Sequence, residues 1–396
     1  MSEVRKRDRG NMEITENREQ RTENRNPLRQ LYQLGQSPWY DNIERRLFKS
    51  GEFTRLINEY GIVGVTSNPT IFEKAIRSSS DYDEQMRSIG RATRDPYRVY
   101  DELTIEDVGS AADMLYGVYQ KTNGVDGYVS IEVLPEYAYD SSRTVDYAKV
   151  IFKRLGRKNI LIKVPGTREG CAAITELIGG GVNVNVTLLF SVRHYEAVAQ
   201  AYIDGLKKRL GDKKSLSDVT SVASVFVSRV DSRIDPMLED IAQKEKIISQ
   251  KEKVLDLRGK AAVANSKIIY GRFKEIFWGE EFEALKTKGA ALQRVLWAST
   301  STKNPNYRDV KYVEELIGPH SINTMPHQTV LAFHEHGIVA PSIEDGREDP
   351  ETVFSALASL GINIDDVCQE LQKAGIKAFC DSFNLLINTI ERKFKV

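Results

Sequence analysis

Residues Ile160–Pro165 read Ile-Leu-Ile-Lys-Val-Pro, a short apolar run with one lysine inside it. A continuous apolar run that ends at a Pro-Gly pair is typical of a parallel-sheet strand that is covered on both faces. Lys163 in such a strand is costly to desolvate unless it is paired or loses its proton. A neutral lysine amine can attack a carbonyl carbon and form a Schiff base. The alternative is a lysine whose aliphatic stem runs past the sheet edge to water.

Strand-like runs and amphipathic, helix-like segments alternate along the chain. This alternation predicts right-handed βαβ units and a parallel sheet, and eight such units close a (β/α)8 barrel. No glycine-rich phosphate-binding motif follows the first run, which weakens the alternative of a doubly wound nucleotide-binding sheet. We therefore expect an α/β fold, a single (β/α)8 TIM barrel over residues 27–396 with additional C-terminal helices from Pro350 onward. The eight runs are 38–43, 62–68, 128–133, 160–165, 183–190, 222–230, 295–299 and 321–325.

Two segments lie outside this regular pattern. Residues 1–26 alternate charged and amide side chains with almost nothing apolar, so we expect a disordered charged tail. Residues 241–260 have apolar positions at a spacing of seven residues among many lysines and glutamates. This spacing predicts an amphipathic barrel helix with a solvated charged face, and a partner-binding helix is the alternative.

The composition limits the class of protein. The chain has 396 residues, and its 56 basic and 56 acidic residues balance, which argues against a general nucleic-acid or anionic-membrane binder. No run of eighteen apolar residues occurs, and the N-terminus has no apolar signal segment, so no membrane span is predicted. Cys171, Cys368 and Cys380 lie far apart, and neither they nor His334 and His336 match the spacing of a metal site. We expect a soluble cytoplasmic protein without a bound metal.

Polar residues of one parity recur near the ends of the runs. Catalytic groups of a (β/α)8 barrel project from the carboxyl ends of its strands, and alternate residues share a face. We therefore predict a ring of polar groups around the barrel mouth. One amine, two carboxylates and several neutral donors suit carbonyl chemistry through an imine. The residues are Asp41, Thr66, Asn68, Ser130, Glu132, Lys163, Asn185, Thr187, Ser224 and Ser228.

Two cationic residues lie at or after the ends of late runs. Arg229 comes at the end of the sixth run, and Lys303 follows the seventh run within Ser-Thr-Ser-Thr-Lys-Asn. The later loops of such barrels often carry a phosphate site, and hydroxyls beside a cation suit an anion. The alternative for each residue is an ordinary surface charge.

Five segments together resemble the transaldolase family, in its longer bacterial and plant-type subgroup. The first resembles one family signature, and the second and third resemble the signature that carries the Schiff-base lysine. The resemblance extends from about Ser37 to beyond Gly337. The segments are GVTSNPTIF (64–72), ILIKVP (160–165), GVNVNVTLLFS (181–191), VASVFVSRVD (222–231) and LWASTSTKNP (296–305).

The resemblance implies an enzyme of the pentose phosphate pathway that needs no metal or organic cofactor. Such an enzyme moves a dihydroxyacetone unit from sedoheptulose 7-phosphate or fructose 6-phosphate to an aldose phosphate. By this resemblance Lys163 forms the Schiff base, and Asp41 takes the proton of the C4 hydroxyl. Glu132 and Thr187 match the pair that holds a proton-relay water.

The remaining positions match substrate contacts of the family. Asn68, Asn185 and Ser224 match the groups that hold the dihydroxyacetone hydroxyls. Arg229 matches one phosphate ligand, and Ser299, the last residue of the seventh run, is expected to contact the substrate. Shorter members place a second arginine directly after Ala-Ser-Phe. Here Ser299 leads into a different loop, so Lys303 is the best substitute.

Two other functions compete with this interpretation. Related aldolases that release free dihydroxyacetone from fructose 6-phosphate carry a tyrosine where this chain has Phe226, so Phe226 and the chain length favour the transferase. The second competitor is a catalytically inactive barrel that only binds phosphosugars. Its typical sign would be the loss of Lys163, Asp41 or Glu132, and all three are present. Nothing in the sequence specifies an oligomeric state.

Overall fold

A parallel sheet of seven strands forms the centre of the computed structural model, which describes residues 26–346 and 349–394. The strands are β1 (Gln36–Tyr40), β2 (Val129–Glu132), β3 (Ile160–Pro165), β4 (Val184–Leu189), β5 (Ser221–Phe226), β6 (Arg294–Ala298) and β7 (Ser321–Met325). Their order in the sheet is β1-β7-β6-β5-β4-β3-β2. All are buried along their length apart from the first residue of β6. Such burial on both faces is typical of a barrel sheet that helices cover on the outside and whose interior is packed with side chains.

Residues 62–66 close the sheet between β1 and β2. Val65 forms parallel bridges with Tyr40 on one side and with Val129 on the other. The Val65 N–H donates to Tyr128 O at 2.9 Å, and the Tyr40 N–H donates to Gly64 O at 2.9 Å. The barrel prediction is therefore confirmed, although the second predicted strand, 62–68, is a pair of isolated bridges and not a regular strand.

Gly64 explains the close approach of this segment to β1. A Cβ on Gly64 would lie 2.3 Å from Trp39 Cε2, which no real contact allows. Only glycine lets the backbone of residues 62–66 pass over the buried indole ring. The extended chain continues to Asn68, because the next residue is a proline that begins a helix.

Helices follow most strands and surround the sheet. The helices are α1 (Pro27–Gln33), α2 (Arg45–Lys49), α3 (Glu52–Arg55), α4 (Pro69–Ser78), α5 (Asp83–Gly90), α6 (Pro96–Lys121), α7 (Ser141–Leu155), α8 (Arg168–Gly180), α9 (Val192–Gly211), α10 (Ser228–Lys244), α11 (Ile248–Leu255), α12 (Ala261–Phe277), α13 (Glu280–Lys286), α14 (Lys311–Glu314), α15 (His327–His336), α16 (Pro350–Ser359) and α17 (Ile364–Phe394). A π-turn covers Leu56–Tyr60 and a 3-10 turn covers Pro135–Tyr137. Asn68, Thr167 and Ser191 begin α4, α8 and α9 by accepting a hydrogen bond from a backbone N–H of the first turn.

Three predicted boundaries are wrong. The first run is β1 at residues 36–40 instead of 38–43. The sixth run, 222–230, ends as a strand at Phe226, because Val227 turns to helical dihedral angles and α10 begins at Ser228. The single helix predicted over 241–260 is broken after α10, where the Glu245 carboxylate accepts hydrogen bonds from the N–H groups of Lys246 and Ile247.

The C-terminal helix α17 lies against the carboxyl end of the barrel, where β4 ends. Cys368 Sγ donates to the carbonyl of Phe190, the residue that follows β4, at 3.2 Å. Further along α17, the hydroxyls of Ser382 and Thr70, on α4, lie 2.8 Å apart. The additional C-terminal helices are thus confirmed as α16 and α17, and α17 borders the barrel mouth.

The folded part of the chain includes Asn26, which the sequence analysis assigns to the tail. Its side-chain oxygen accepts hydrogen bonds from the N–H groups of Leu28 and Arg29, and its amide donates to Glu59 O at 2.8 Å. The rest of the predicted tail, residues 1–25, lies outside the described residues. No helix in the described ranges combines the length and the apolar character that crossing a bilayer requires.

Candidate active site

Lys163 is held inside the barrel, beside a carboxylate. The residue is 5% exposed, so the alternative of a stem that runs past the sheet edge to bulk water is wrong. The β2–β3 register pairs Lys163 with Glu132. Lys163 Nζ lies 3.2 Å from Glu132 Oε1 and donates a hydrogen bond to the Ser67 carbonyl at 2.8 Å. The amine is therefore paired, as a buried lysine must be.

Glu132 is a carboxyl that gains and loses a proton near neutral pH. Burial raises the pKa of Glu132 to about 7. The nearby positive charge of Lys163 opposes this rise, and the negative charge of Asp41 adds a smaller increase. Within the described residues, neither oxygen of Glu132 has a hydrogen-bond partner of good geometry. The same holds for the buried hydroxyl of Thr187. Buried polar atoms without a protein partner are normally satisfied by water or by a ligand, so both groups are available to one.

Asp41 directly follows β1 at the barrel mouth. Its Oδ1 accepts a hydrogen bond from Thr66 Oγ1 at 2.7 Å, and the Thr66 hydroxyl lies 2.6 Å from that of Thr324. Burial raises the pKa of Asp41, whereas the positive charges of Lys163 and Lys303 and the Thr66 hydroxyl oppose the rise. A carboxylate of raised pKa at this position is suited to act as a base.

Asn185 and Ser224 form one hydrogen-bonded chain with Ser130. Asn185 Nδ2 donates to Ser130 Oγ at 2.9 Å, and Ser224 Oγ donates to Asn185 Oδ1 at 2.6 Å. Ser224 lines the central cavity of the mouth, whereas Asn185 lies behind it and is completely buried. The structure therefore places Asn185 where it orients Ser224.

The side chain of Asn68 both caps helix α4 and faces the cavity. Its Oδ1 accepts a hydrogen bond from the Ile71 N–H at 3.0 Å and so fixes the start of α4. Its Nδ2 makes no hydrogen bond to the described part of the protein, and the residue lines the cavity. The cap leaves the amide N–H groups as donors for a ligand.

Phe226 and Arg229 lie together on the wall of the cavity. The guanidinium carbon of Arg229 is 5.3 Å from the centre of the Phe226 ring, a cation–π contact. Arg229 is in the first turn of α10 and not on a strand as predicted. Burial lowers the pKa of Arg229, and no salt bridge joins it to a carboxylate of the described residues. Such a cation is suited to bind an anion.

The loop after β6 brings a second cation. Lys303 Nζ donates to Ser301 Oγ at 2.7 Å, and burial, followed by the nearby charges of Arg229 and Lys74, lowers the pKa of Lys303. At the start of the loop, Ser299 has a φ of +55°, and its hydroxyl lies 3.0 Å from that of Ser228. The loop thus turns sharply toward the cavity.

Sequence reasoning missed two residues of the site. Thr324 near the end of β7 was detectable, because the rule of polar residues at strand ends also applies to the eighth run. Lys74 lies on α4, and no rule about strand ends would find it. Both line the cavity, and Lys74 adds a third cation to Arg229 and Lys303.

A cavity of about 740 Å³ at the barrel mouth brings these groups together. Glu132 and Asn185 do not line it but contact Lys163 and Ser224, which do. Among the described residues, no group of histidine, cysteine and acidic side chains could hold a metal ion. The predicted residues that line the cavity are Asp41, Thr66, Asn68, Lys163, Thr187, Ser224, Phe226, Arg229, Ser299 and Lys303.

Comparison with known proteins identifies the family of the chain. A family model described as "Transaldolase/Fructose-6-phosphate aldolase" matches residues 38–390. The chain is 44% identical over 374 residues to "Transaldolase 2" of Nostoc sp. (strain PCC 7120 / SAG 25.82 / UTEX 2576), covering 94% of this chain and 98% of that protein. It is 43% identical over 372 residues to "Transaldolase" of Trichodesmium erythraeum (93% and 98% covered). It is 42% identical over 365 residues to "Transaldolase" of Thiobacillus denitrificans (92% and 99% covered). The chain therefore belongs to the transaldolase/fructose-6-phosphate aldolase family.

Proposed function

We propose that the protein is a transaldolase of the non-oxidative pentose phosphate pathway. It transfers a dihydroxyacetone unit from sedoheptulose 7-phosphate or fructose 6-phosphate to an aldose phosphate, through an imine on Lys163. The observation that carries the proposal is the buried Lys163 amine, 3.2 Å from a carboxyl of Glu132 whose pKa is about 7. An amine beside a group that exchanges protons near neutral pH is what imine formation requires.

Imine formation uses Lys163, Glu132 and Thr187. The lone pair of neutral Lys163 Nζ adds to the C2 carbonyl carbon of the ketose, and the carbonyl oxygen gains a proton. The resulting carbinolamine then loses its hydroxyl as water and leaves the iminium ion. Glu132 starts protonated and gives its proton to the carbonyl oxygen. It then takes a proton from the nitrogen, which leaves the neutral carbinolamine, and gives that proton to the departing hydroxyl, so that Glu132 ends as a carboxylate. The Thr187 hydroxyl orients the water that connects these groups.

Cleavage of the carbon–carbon bond uses Asp41. Its carboxylate removes the proton of the C4 hydroxyl, and the electrons of the C3–C4 bond move into the iminium to form an enamine. The aldose phosphate leaves, and an acceptor aldose phosphate takes its place. The enamine carbon then attacks the acceptor aldehyde, Asp41 returns its proton, and water releases the new ketose phosphate from Lys163.

Neutral donors and cations hold the two ends of the sugar. We assign the dihydroxyacetone hydroxyls to Asn68 and Ser224. Asn185, which the sequence analysis also predicts as a contact of these hydroxyls, orients Ser224. We assign the phosphate to Arg229, Lys303 and Ser299. An arginine fork matches phosphate oxygens in pairs, and lysine adds a point charge.

Phe226 protects the enamine between the two half-reactions. Water that is oriented at the enamine carbon would protonate it and release free dihydroxyacetone. The phenyl ring of Phe226 lies beside the Phe190 ring, with 5.3 Å between centres, and it offers such a water no hydrogen bond. The alternative function, a fructose 6-phosphate aldolase, needs that protonation.

The test is acceptor dependence. Consumption of fructose 6-phosphate should require erythrose 4-phosphate and yield sedoheptulose 7-phosphate. Phe226→Tyr should increase the release of free dihydroxyacetone without acceptor, and Phe379→Tyr, on another wall of the same cavity, should not. Wild-type protein that releases dihydroxyacetone as fast as it transfers it would be an aldolase, and an inert wild type would be a binding protein.

We place this reaction in the cytoplasm. The three cysteines are free thiols in the structure, and Cys368 is buried with a raised pKa because of desolvation. Free thiols are typical of proteins in a reducing compartment.

A further inference from the structure

The carboxyl end of β4 has an unusual backbone. Leu188 has a φ of +60°, which leucine rarely adopts, and it is completely buried. One extra residue lies in β4 between Val186 and Leu189 relative to the paired residues of β5, so β4 contains a β-bulge. Thr187 directly precedes Leu188. The direction of the Thr187 hydroxyl therefore depends on how the bulge is held.

Gln372 of α17 holds this bulge. Its Nε2 donates one hydrogen bond to Leu188 O at 3.1 Å and another to Gly166 O at 3.0 Å. Gly166 follows β3, the strand of Lys163, and its N–H donates to Thr187 O at 2.8 Å. One side-chain amide thus joins the ends of the two strands that carry the amine and the hydroxyl of the imine step.

The face of α17 around Gln372 is shaped for this contact. Cys368, one turn earlier, donates to the Phe190 carbonyl beyond β4. Gly375 comes three residues later, and a Cβ there would lie 2.9 Å from Leu188 Cδ2. Glycine inside a helix costs about 0.5–1 kcal/mol relative to alanine. Gly375 nevertheless fits here, because it lets α17 approach the bulge closely. The three positions lie on one helix face.

We infer that Gln372 is a positioning residue for the reaction, acting through Thr187. This inference rests on the proposed function, in which Thr187 orients the proton-relay water. Gln372 touches no reacting atom. Its two hydrogen bonds fix the bulge, the bulge fixes Thr187, and the Thr187 hydroxyl has no protein partner of its own among the described residues. Loss of the amide should therefore slow the proton transfers of imine formation and leave substrate affinity intact.

The test compares two matched substitutions on α17. Gln372→Met keeps the length of the side chain and removes both donors. Gln369→Met makes the same change at an exposed position of the same helix. We expect Gln372→Met to lower kcat by roughly ten- to a hundredfold, the range for a displaced catalytic group, with KM for fructose 6-phosphate within about twofold of wild type. Gln369→Met should match wild type in both constants.

A double-mutant cycle with Thr187→Val separates positioning from a general structural effect. If Gln372 acts through Thr187, Gln372→Met should change kcat by less than about twofold in the Thr187→Val background. The same loss in both backgrounds would overturn the inference, as would a folded Gln372→Met enzyme with wild-type kcat. Gln372→Glu, which is isosteric, replaces the Met variant if the latter does not fold, and wild-type kcat in it would equally overturn the inference. Absence of transfer in the wild type would instead refute the proposed function.

Discussion

Replacing Glu132 with glutamine should change the pH dependence of stability. Burial raises the pKa of Glu132 from the ordinary 4.5 to about 7, and at 1.36 kcal/mol per pH unit this rise corresponds to about 3 kcal/mol. Below pH 4.5 the carboxyl is protonated in both folded and unfolded chains, and its contribution to stability is fully present. Between that value and pH 7 only the unfolded chain has lost the proton, so the free energy of unfolding falls with rising pH.

The measurement is urea unfolding of wild type and Glu132→Gln in parallel at several pH values from 4.5 to 8, followed by tryptophan fluorescence. Glutamine does not titrate, so wild type should lose about 3 kcal/mol more stability than the variant over this range. The other carboxyls of raised pKa titrate in both proteins and largely cancel; they are Asp41, Asp101, Asp107, Asp231 and Asp235 among the described residues. Glu335→Gln, at an exposed position of α15, is the control. A stability difference that stays constant with pH would refute the argument that burial controls the Glu132 proton.

Three further predictions follow from the site and its surroundings. Asp41→Ala should lower kcat by ~10²–10⁴-fold, the usual loss for a general base, with little change in KM; a raised KM at unchanged kcat would argue against the role. Arg229→Ala should raise KM for fructose 6-phosphate by roughly 10- to 100-fold, because a hydrogen bond to a charged group is worth about 1.5–3 kcal/mol, and it should not affect an unphosphorylated analogue. Arg233→Ala, at an exposed arginine of the same helix that pairs with Glu370, is the control, and equal effects on both substrates would exclude Arg229 from the phosphate site. Deletion of residues 1–25 should leave the melting temperature and kcat unchanged, since the segment has almost no apolar residues to dock, and a fall of several degrees would show that it packs on the barrel.

The positions of the site residues were predictable because they follow two simple rules of barrel geometry. Side chains alternate along a strand, and the barrel directs the carboxyl ends of all strands to one mouth. This is why Lys163, Glu132 and Ser224, read from three separate runs, meet in the structure. The resemblance to the family then implied a chemical role for each, which the strand pattern alone does not indicate.

Register and helix placement were not predictable. The pairing of Glu132 opposite Lys163 depends on how β2 slides along β3, which neither segment encodes by itself. The strand interpretation of Ser228 failed because no side-chain cap marks the start of α10, so the apolar alternation continues into the helix. The contact of Gln372 with the β4 bulge joins residues 184 positions apart along the chain, and it depends on the tertiary packing of α17.

Borohydride trapping of the imine tests the central claim most directly. Wild-type protein incubated with fructose 6-phosphate and reduced with borohydride should carry a reduced sugar adduct on the peptide that contains Lys163, with activity lost in proportion. Lys163→Met should acquire no adduct and have no activity, and Lys158→Met, at an exposed lysine just before β3, should behave as wild type. An adduct on a different lysine, or transfer activity in Lys163→Met, would contradict the account.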